Sequence, residues 1–413
     1  MIEVKVHRIV EYPPFRARSM KIRIGSRILY TPERMLTKGE IETKRKIPTY
    51  IPINNFIILI DIPLNLTKVV EMDKSINTHI ERIINTLESL YGDLYWIHYL
   101  IPYLVPIGKK YKEKILSSVD KFYDKYLNTL LYVLLQRAEY KFKTVFIPPL
   151  LLERRKYSEI IKRIDNLFDK YNTQIIPIID IARKDFPELI LDLIDNEINV
   201  IGLKYRPPRK HFREYTFLSS DSIMNKDVLF VMIDSKTYED FRIVRDFAVM
   251  HYLPFNNIDI LASHIYKGGF PDPTKPYNYN FRLLDRSSLR LPLIHELANE
   301  KIKKLLDELE INLDNKIILP IIERLIDHNK LNYWKENLED RRKKALLEKN
   351  GKRKLRYIYE EYRSVYSLTR LQEVKASTNE FQYKREFLKK EDLEGYLNKR
   401  RQLVKIIQVI KNL

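Results

Sequence analysis

The chain has no cysteine among its 413 residues. That absence excludes disulfides, iron–sulfur clusters, cysteine nucleophiles and thiolate zinc sites together. The eight histidines do not make up the loss, because no two of them lie three to five residues apart. No metal and no cofactor is expected. Long apolar runs are missing too. The most apolar stretch, LYWIHYLIPYLVPIG at 94–108, is short and is broken by His98, Pro102 and Pro106, so no membrane span and no membrane partner is expected. The N-terminus, MIEVKVHRIVEY, lacks an apolar core of signal-peptide length, which makes the cytoplasm the expected location. No glycine-rich fingerprint follows any strand-like run, which argues against a dinucleotide-binding fold.

What the chain does have is positive charge. Seventy-four basic residues against 55 acidic ones give a formal net charge of +19. Such a field attracts polyanions and makes their binding salt-dependent, so nucleic acid, tRNA or DNA, is the expected partner. The charge is uneven. Residues 341–413 hold 21 Lys/Arg against 9 Asp/Glu, and aromatics are interleaved with the bases at Arg353, Arg356, Tyr357, Tyr359, Tyr362, Arg363, Tyr366, Tyr383 and Arg385. Basic helices with exposed tyrosines suit phosphate contact and base stacking. The same tyrosines could equally be packing residues on a helix with a solvated charged face.

The pattern along the chain divides it in two. Residues 1–55 read as short strands and turns, followed by the apolar run FIILID at 56–61 and a helical face over 76–90. From residue 143 strand-like runs recur about every 25–30 residues: KTVFIPPL, TQIIPIIDI, NVIGLKY, DVLFVMID and NNIDILAS. Helical patterns fill the gaps, including one after DVLFVMID that runs through HYL at 251–253. The strands are apolar on both faces, as strands covered by helices must be. The fold class expected is α/β, a TIM-like (β/α)₈ barrel over 1–296, with an open doubly wound sheet as the alternative. Residues 297–413 are expected to form a basic, mainly helical extension.

In a parallel α/β fold, chemistry sits at the C-terminal ends of the strands. The loops leaving those ends carry Arg154 and Arg155, then Arg183, then Arg206, Arg209, Lys210 and Arg213. They lead into helix N-termini, where a cation opposes the helix dipole, so an anionic ligand explains them better than folding does. Asp61, Asp180 and Asp234 fall at or near strand ends, and Asp259 lies within the last strand run. Carboxylates facing one cavity can act as nucleophile, acid/base or hydrogen-bond acceptor, whereas singly each could be a helix cap.

In order and spacing over residues 18–270, the chain resembles the tRNA-guanine transglycosylase family, the queuine and archaeosine tRNA-ribosyltransferases and their DNA-modifying relatives. RSMKIRIGSRILYTPERM resembles the family's entry strand, with Gly25, Thr31 and Pro32. The resemblance implies a (β/α)₈ barrel that exchanges a guanine-type base in nucleic acid. It puts Asp61 at the acid/base position, Asp180 at the base edge, and Gly202 and Leu203 where the backbone approaches the base. It leaves Asp259 as the carboxylate nearest the nucleophile position, which Ala262 occupies. Ile62-Pro63-Leu64 replaces the family's Ser-Gly-Gly, and its Cys/His zinc site has no counterpart. Three functions follow as expectations: a transglycosylase-like enzyme with Asp259 as nucleophile and Asp61 as acid/base; a non-enzymatic nucleic-acid-binding protein on the same fold; and a nucleotide-sugar glycosyltransferase, which would want an Asp-x-Asp pair that is not found here.

Overall fold

The structure is a computed structural model that describes residues 2–24, 27–37, 40, 57–64, 98–104, 143–147, 152–170, 173–235, 238–240, 245–263, 275–310 and 316–411. Three strands, β1 (Ile2–Tyr12), β2 (Phe15–Ile24) and β3 (Arg27–Tyr30), form an antiparallel sheet in that order. Eight more make a parallel ladder: β4 (Glu33–Thr37), β5 (Ile57–Leu64), β6 (His98–Leu104), β7 (Lys143–Ile147), β8 (Thr173–Asp180), β9 (Val200–Lys204), β10 (Leu229–Ser235) and β11 (Ile260–Ser263). The spatial order is β10-β11-β4-β5-β6-β7-β8-β9, and β9 pairs with β10, so the ladder returns to its start. The fold class is α/β with a parallel sheet. The expected helix at 76–90 lies outside the described residues.

Strand side chains alternate between two faces, and here both faces are apolar. One parity, Phe146, Ile176, Ile178, Val200, Leu229, Val231, Ile233, Ile260 and Ala262, meets in a single buried cluster inside the ladder. Met35 of β4 joins it, and Ile2, Met20 and Ile22 of the antiparallel sheet close it near the strands' N-terminal ends. The other parity, such as Ile175, Ile179, Ile201 and Leu203, is also buried. The amphipathic helices α1 (Arg154–Asp169) and α2 (Phe186–Asp195) bury Tyr157, Ile161, Ile164 and Phe168, and Phe186, Leu189, Ile190 and Leu193. Pro187 sits in the first turn of α2, where its missing N–H costs nothing. Two short helices, α3 (Phe212–Leu218) and α4 (Asp221–Met224), follow β9.

The chain divides into two compact units at places other than the 296/297 boundary read from composition. Unit 1 is Met1–Lys38, Asn54–Ser235 and Phe255–Ile265; unit 2 is Gly39–Ile53, Lys236–Pro254 and Tyr266–Leu413. The segments after β10 and β11 belong to unit 2 because their polar groups are satisfied there. Asp246 takes Arg282 at 2.5 Å, and Leu291 donates its N–H to the Asp246 carbonyl. The helix expected through 251–253 is replaced by two 3₁₀ turns, Val249–His251 and Leu253–Asn256, and the chain re-enters unit 1 at Phe255.

Unit 2 is mainly helical: α5 (Asn299–Asp307), α6 (Leu319–Ile326), α7 (His328–Leu347), α8 (Gly351–Lys389), α9 (Leu393–Asn398) and α10 (Arg401–Lys411). Asp327 separates α6 from α7 by capping Asn329 and Lys330 with its side chain. The turn between α7 and α8 is only Glu348–Asn350. It is tight enough that a Cβ on Gly351 would lie 1.7 Å from the Ala345 carbonyl oxygen, so glycine is required there. The 39-residue α8 is held by side chains as well as by apolar packing. Gln372 accepts from the Leu284 N–H at 2.8 Å and donates to its carbonyl at 2.9 Å, as a neighbouring strand would. Glu380, fully buried, takes Arg400 through two bonds of 2.7 and 2.6 Å and the Tyr396 hydroxyl at 3.2 Å.

Candidate functional site

Two clusters of charge need an account beyond folding. The first lies at the C-terminal ends of β8 and β9. Asp180 ends β8 on the inward parity of Ile176 and Ile178, and its register partner across the ladder is Lys204, the last residue of β9. Two residues on, Arg206 turns back and grips the Asp180 carboxylate through Nε at 2.7 Å and Nη2 at 2.5 Å. The Ala182 amide donates to the same carboxylate at 3.0 Å. Burial pushes the Asp180 carboxyl up, but Arg206, the Ala182 amide and Lys204 outweigh it, so it lies below the ordinary carboxylate value. Asp180 is thus an ionised acceptor held in place, able to receive a donor edge and poorly suited to give up a proton.

Gly202 and Leu203 lie deeper. A Cβ on Gly202 would fall 2.9 Å from Ile178 Cγ1 and 3.4 Å from Phe146, so the glycine serves close packing inside the ladder. Leu203 is fully buried on the opposite face. Neither presents a side chain at the strand ends. Asp61 lies within β5 opposite Ile101 of β6, three residues before the strand ends. Its side chain lies outside the described part of the structure.

Asp259 occupies the other end. It immediately precedes β11 and is 2% exposed. Its carboxylate takes Arg18 of β2 through Nη2 at 2.8 Å and Nε at 3.2 Å, and the Phe230 amide at 2.9 Å. Arg18 spends its remaining donors on the carbonyls of Ile223, Met224, Lys226 and Val228. Burial pushes the Asp259 carboxyl up, and Arg18 opposes it. A nucleophile needs an approach path and an uncommitted lone pair. Asp259 has neither, and the role expected for it is corrected to that of a structural anchor. Nothing in the sequence marked Arg18 as its partner, 241 positions away.

The cations leaving the strand ends separate into two kinds. Arg154 forms a two-bond pair with Asp192, both at 2.6 Å, in an open groove between α1 and α2. Arg155 pairs with Glu159 one turn on. Arg183 binds Asp185 and the Leu152 carbonyl and lies over the Tyr157 ring at 5.6 Å. Arg154 and Arg183 hold α1 and α2 in place, while the Arg155 pair lies within α1. Arg209, Lys210 and Arg213, on the 3₁₀ turn Pro208–Lys210 and the start of α3, are exposed, and none forms an ion pair among the described residues.

The second cluster is the α7–α8 hairpin tip. Between residues 343 and 356 there are seven basic residues and one acidic one, Glu348. Glu348 pairs with Lys354 at 2.7 Å. Lys343, Lys344, Lys349, Lys352, Arg353 and Arg356 are exposed, and none takes a carboxylate partner among the described residues. Arg353 lies 5.9 Å over the ring of Tyr357, which is 62% exposed. Arg363 stands 4.0 Å from Glu360. The first turn of α8 holds no acidic residue, against what its dipole favours. Of the interleaved tyrosines, Tyr362 stacks on Tyr277 with centroids 4.7 Å apart and donates to the Asn278 carbonyl, and Tyr383 packs with Phe387 and Tyr396. They are packing residues first; Tyr357 and Tyr366 are the exposed ones.

Among the described residues no group of three or more His, Asp or Glu side chains could hold a metal ion, and no helix is long and apolar enough to cross a membrane. No family model matches the chain, and no curated protein matches it. Among solved structures it is similar to the YdjI aldolase from Escherichia coli K12, at 7% identity and a TM-score of 0.30, over 57% of this chain and 76% of that one. It is also similar to the magnesium complex of beta-methylaspartase from Clostridium tetanomorphum, at 12% identity and 0.33, over 59% of this chain and 56% of that one. Scores this low carry no argument about activity.

Proposed function

We propose that the chain is a nucleic-acid-binding protein built on a TIM-type (β/α)₈ barrel, and that it grips the polymer backbone at the α7–α8 tip. One observation carries the reading: seven bases against one acid at two helix ends joined by a three-residue turn, all seven of them exposed. Lys343, Lys344 and Lys349 at the end of α7 suit its dipole, but Lys352, Arg353 and Lys354 at the start of α8 oppose theirs. A bound phosphate chain would relieve that opposition and would also accept the free N–H groups of the first turn.

The test is equilibrium binding of a labelled oligonucleotide at two salt concentrations. Removing one phosphate-binding cation should flatten the slope of log affinity against log salt by roughly 0.7–0.9. Lys349→Ala, Lys352→Ala and Arg353→Ala together are expected to flatten it by roughly 2. An unchanged slope would remove the tip from the interface.

A transglycosylase-like reaction is the second reading, favoured by the meeting of Asp180, Lys204 and Arg206 at the strand ends. It assigns Asp180 to the base edge and Asp61 to acid/base work. It also needs a nucleophile other than Asp259, with Asp234 the nearest carboxylate in sequence to that end of β10.

A further inference from the structure

Along α8 the residues Lys352, Arg356, Tyr359, Arg363 and Tyr366 follow one another at spacings of four, three, four and three. That alternation keeps them on one helix face. Over 14 residues the stripe runs about 21 Å, with base and ring taking turns from Arg356 onward. The rings belong to a longer stack. Tyr277 lies on Tyr362 at 4.7 Å with an interplanar angle of 21°, and Tyr362 on Tyr366 at 6.2 Å and 23°. Tyr359 is tilted beside Tyr362 at 6.3 Å. Among the described residues the stack ends at Tyr366, which is 48% exposed. The next base in the stripe, Arg370, is withdrawn from it by Glu373 and Glu40. Tyr357 and Arg353 fall about a third of a turn to one side of the stripe and are not part of it.

We infer that this face is a track for single-stranded nucleic acid, its phosphates on Lys352, Arg356 and Arg363 and its bases continuing the tyrosine stack from Tyr366. The inference rests on the nucleic-acid reading above and narrows it. A ring stack that ends in solvent offers its last face to another aromatic plane. Bases inside a duplex are already stacked on each other, whereas those of a single strand are free to be received. Cations alone would hold either form. The alternation of cation and ring separates the two cases, because it matches the alternation of phosphate and base along one strand.

The experiment measures anisotropy of a labelled 12-nucleotide single strand and of its duplex against the full-length protein. The variants are Tyr366→Ala, Tyr366→Phe and the exposed pair Lys352→Ala/Arg356→Ala. Thermal melting of each confirms that α8 is intact. The single strand is expected to bind more tightly than the duplex. Tyr366→Ala should weaken the single strand about tenfold without changing its salt slope, and Tyr366→Phe, which keeps the ring, should restore binding. The Lys352/Arg356 variant should flatten the salt slope for both forms. Equal binding of both forms, or a Tyr366→Ala variant as good as wild type, would overturn the track and leave nucleic-acid binding standing. Failure of both forms to bind would overturn the functional reading itself.

Discussion

Arg18 reaches from β2 to Asp259 at the foot of β11, and the two close a buried ion pair at 2.8 Å whose side chains are 0% and 2% exposed. The pair ties the antiparallel sheet to the parallel ladder, and Arg18 also bonds carbonyls at the end of α4 and just after it. Asp259→Ala leaves a guanidinium buried without its counter-charge, and a change of this kind costs about 3–5 kcal/mol. We expect a loss of that order in denaturant unfolding of the full chain, with oligonucleotide affinity unchanged while the variant remains folded. A loss of activity with full stability would restore Asp259 to the chemistry.

Asp180 and Arg206 give a pH dependence of definite sign. The folded carboxyl lies below its ordinary value, so the pair stabilises fully above about pH 4 and less as pH falls through the folded value. The stability difference between wild type and Asp180→Asn should therefore shrink as pH drops from about 5 to 2. The Arg206 side chain is 38% exposed, so solvent screening limits the difference near neutrality to about 1 kcal/mol. A difference that grows with acid would show that Asp180 is not the ionised partner.

Gly202→Ala separates packing from base recognition. The added Cβ meets Ile178 at 2.9 Å near that side chain's branch point, where the neighbour has little freedom to move. Overpacking of this sort costs about 1–3 kcal/mol. Lower stability with unchanged nucleic-acid affinity is expected. Full stability with lost affinity would return Gly202 to the interface.

Runs such as TQIIPIID and VIGLK are apolar at nearly every position, and that alone fixes a strand covered on both sides, so β8 and β9 were legible almost to the residue. So were the amphipathic faces of α1 and α2. The segment after β10 misled for a physical reason: its apolar residues Phe247, Ala248, Val249 and Met250 are buried without the repeating bonds of an α-helix, Phe247 being held by Glu239 and Ala248 by Leu289. The site was harder to see because charge in a sequence carries no partner with it. Arg154 and Arg209 look alike in the chain, and only the fold gives Asp192 to the first. The tip was legible in composition at 343–356, yet its importance depends on a three-residue turn bringing two helix ends together.

Shortening the chain tests whether the basic tail is a detachable module. Composition suggests that removing 341–413 would strip nucleic-acid affinity and leave the rest intact. The bonding within unit 2 argues otherwise. Leu284 has its N–H and carbonyl satisfied by Gln372, and Trp334 donates to Glu361 at 2.7 Å while packing against Tyr279 and Phe281. Deletion would orphan the buried Leu284 groups and expose a 6%-accessible indole, a loss of about 1–3 kcal/mol for each buried polar group alone. The truncated chain should therefore lose the fold of 275–340 along with binding. The chain has two tryptophans, so a Trp96→Phe background isolates Trp334. In that background the truncation should shift Trp334 emission to the red and open 275–340 to protease. The Lys349/Lys352/Arg353 alanine variant should change neither, while binding falls. A truncated chain that kept a blue-shifted Trp334 and a protease-resistant 275–340 would show that α8 is dispensable to the unit, and the tail could then be treated as a separate binding module.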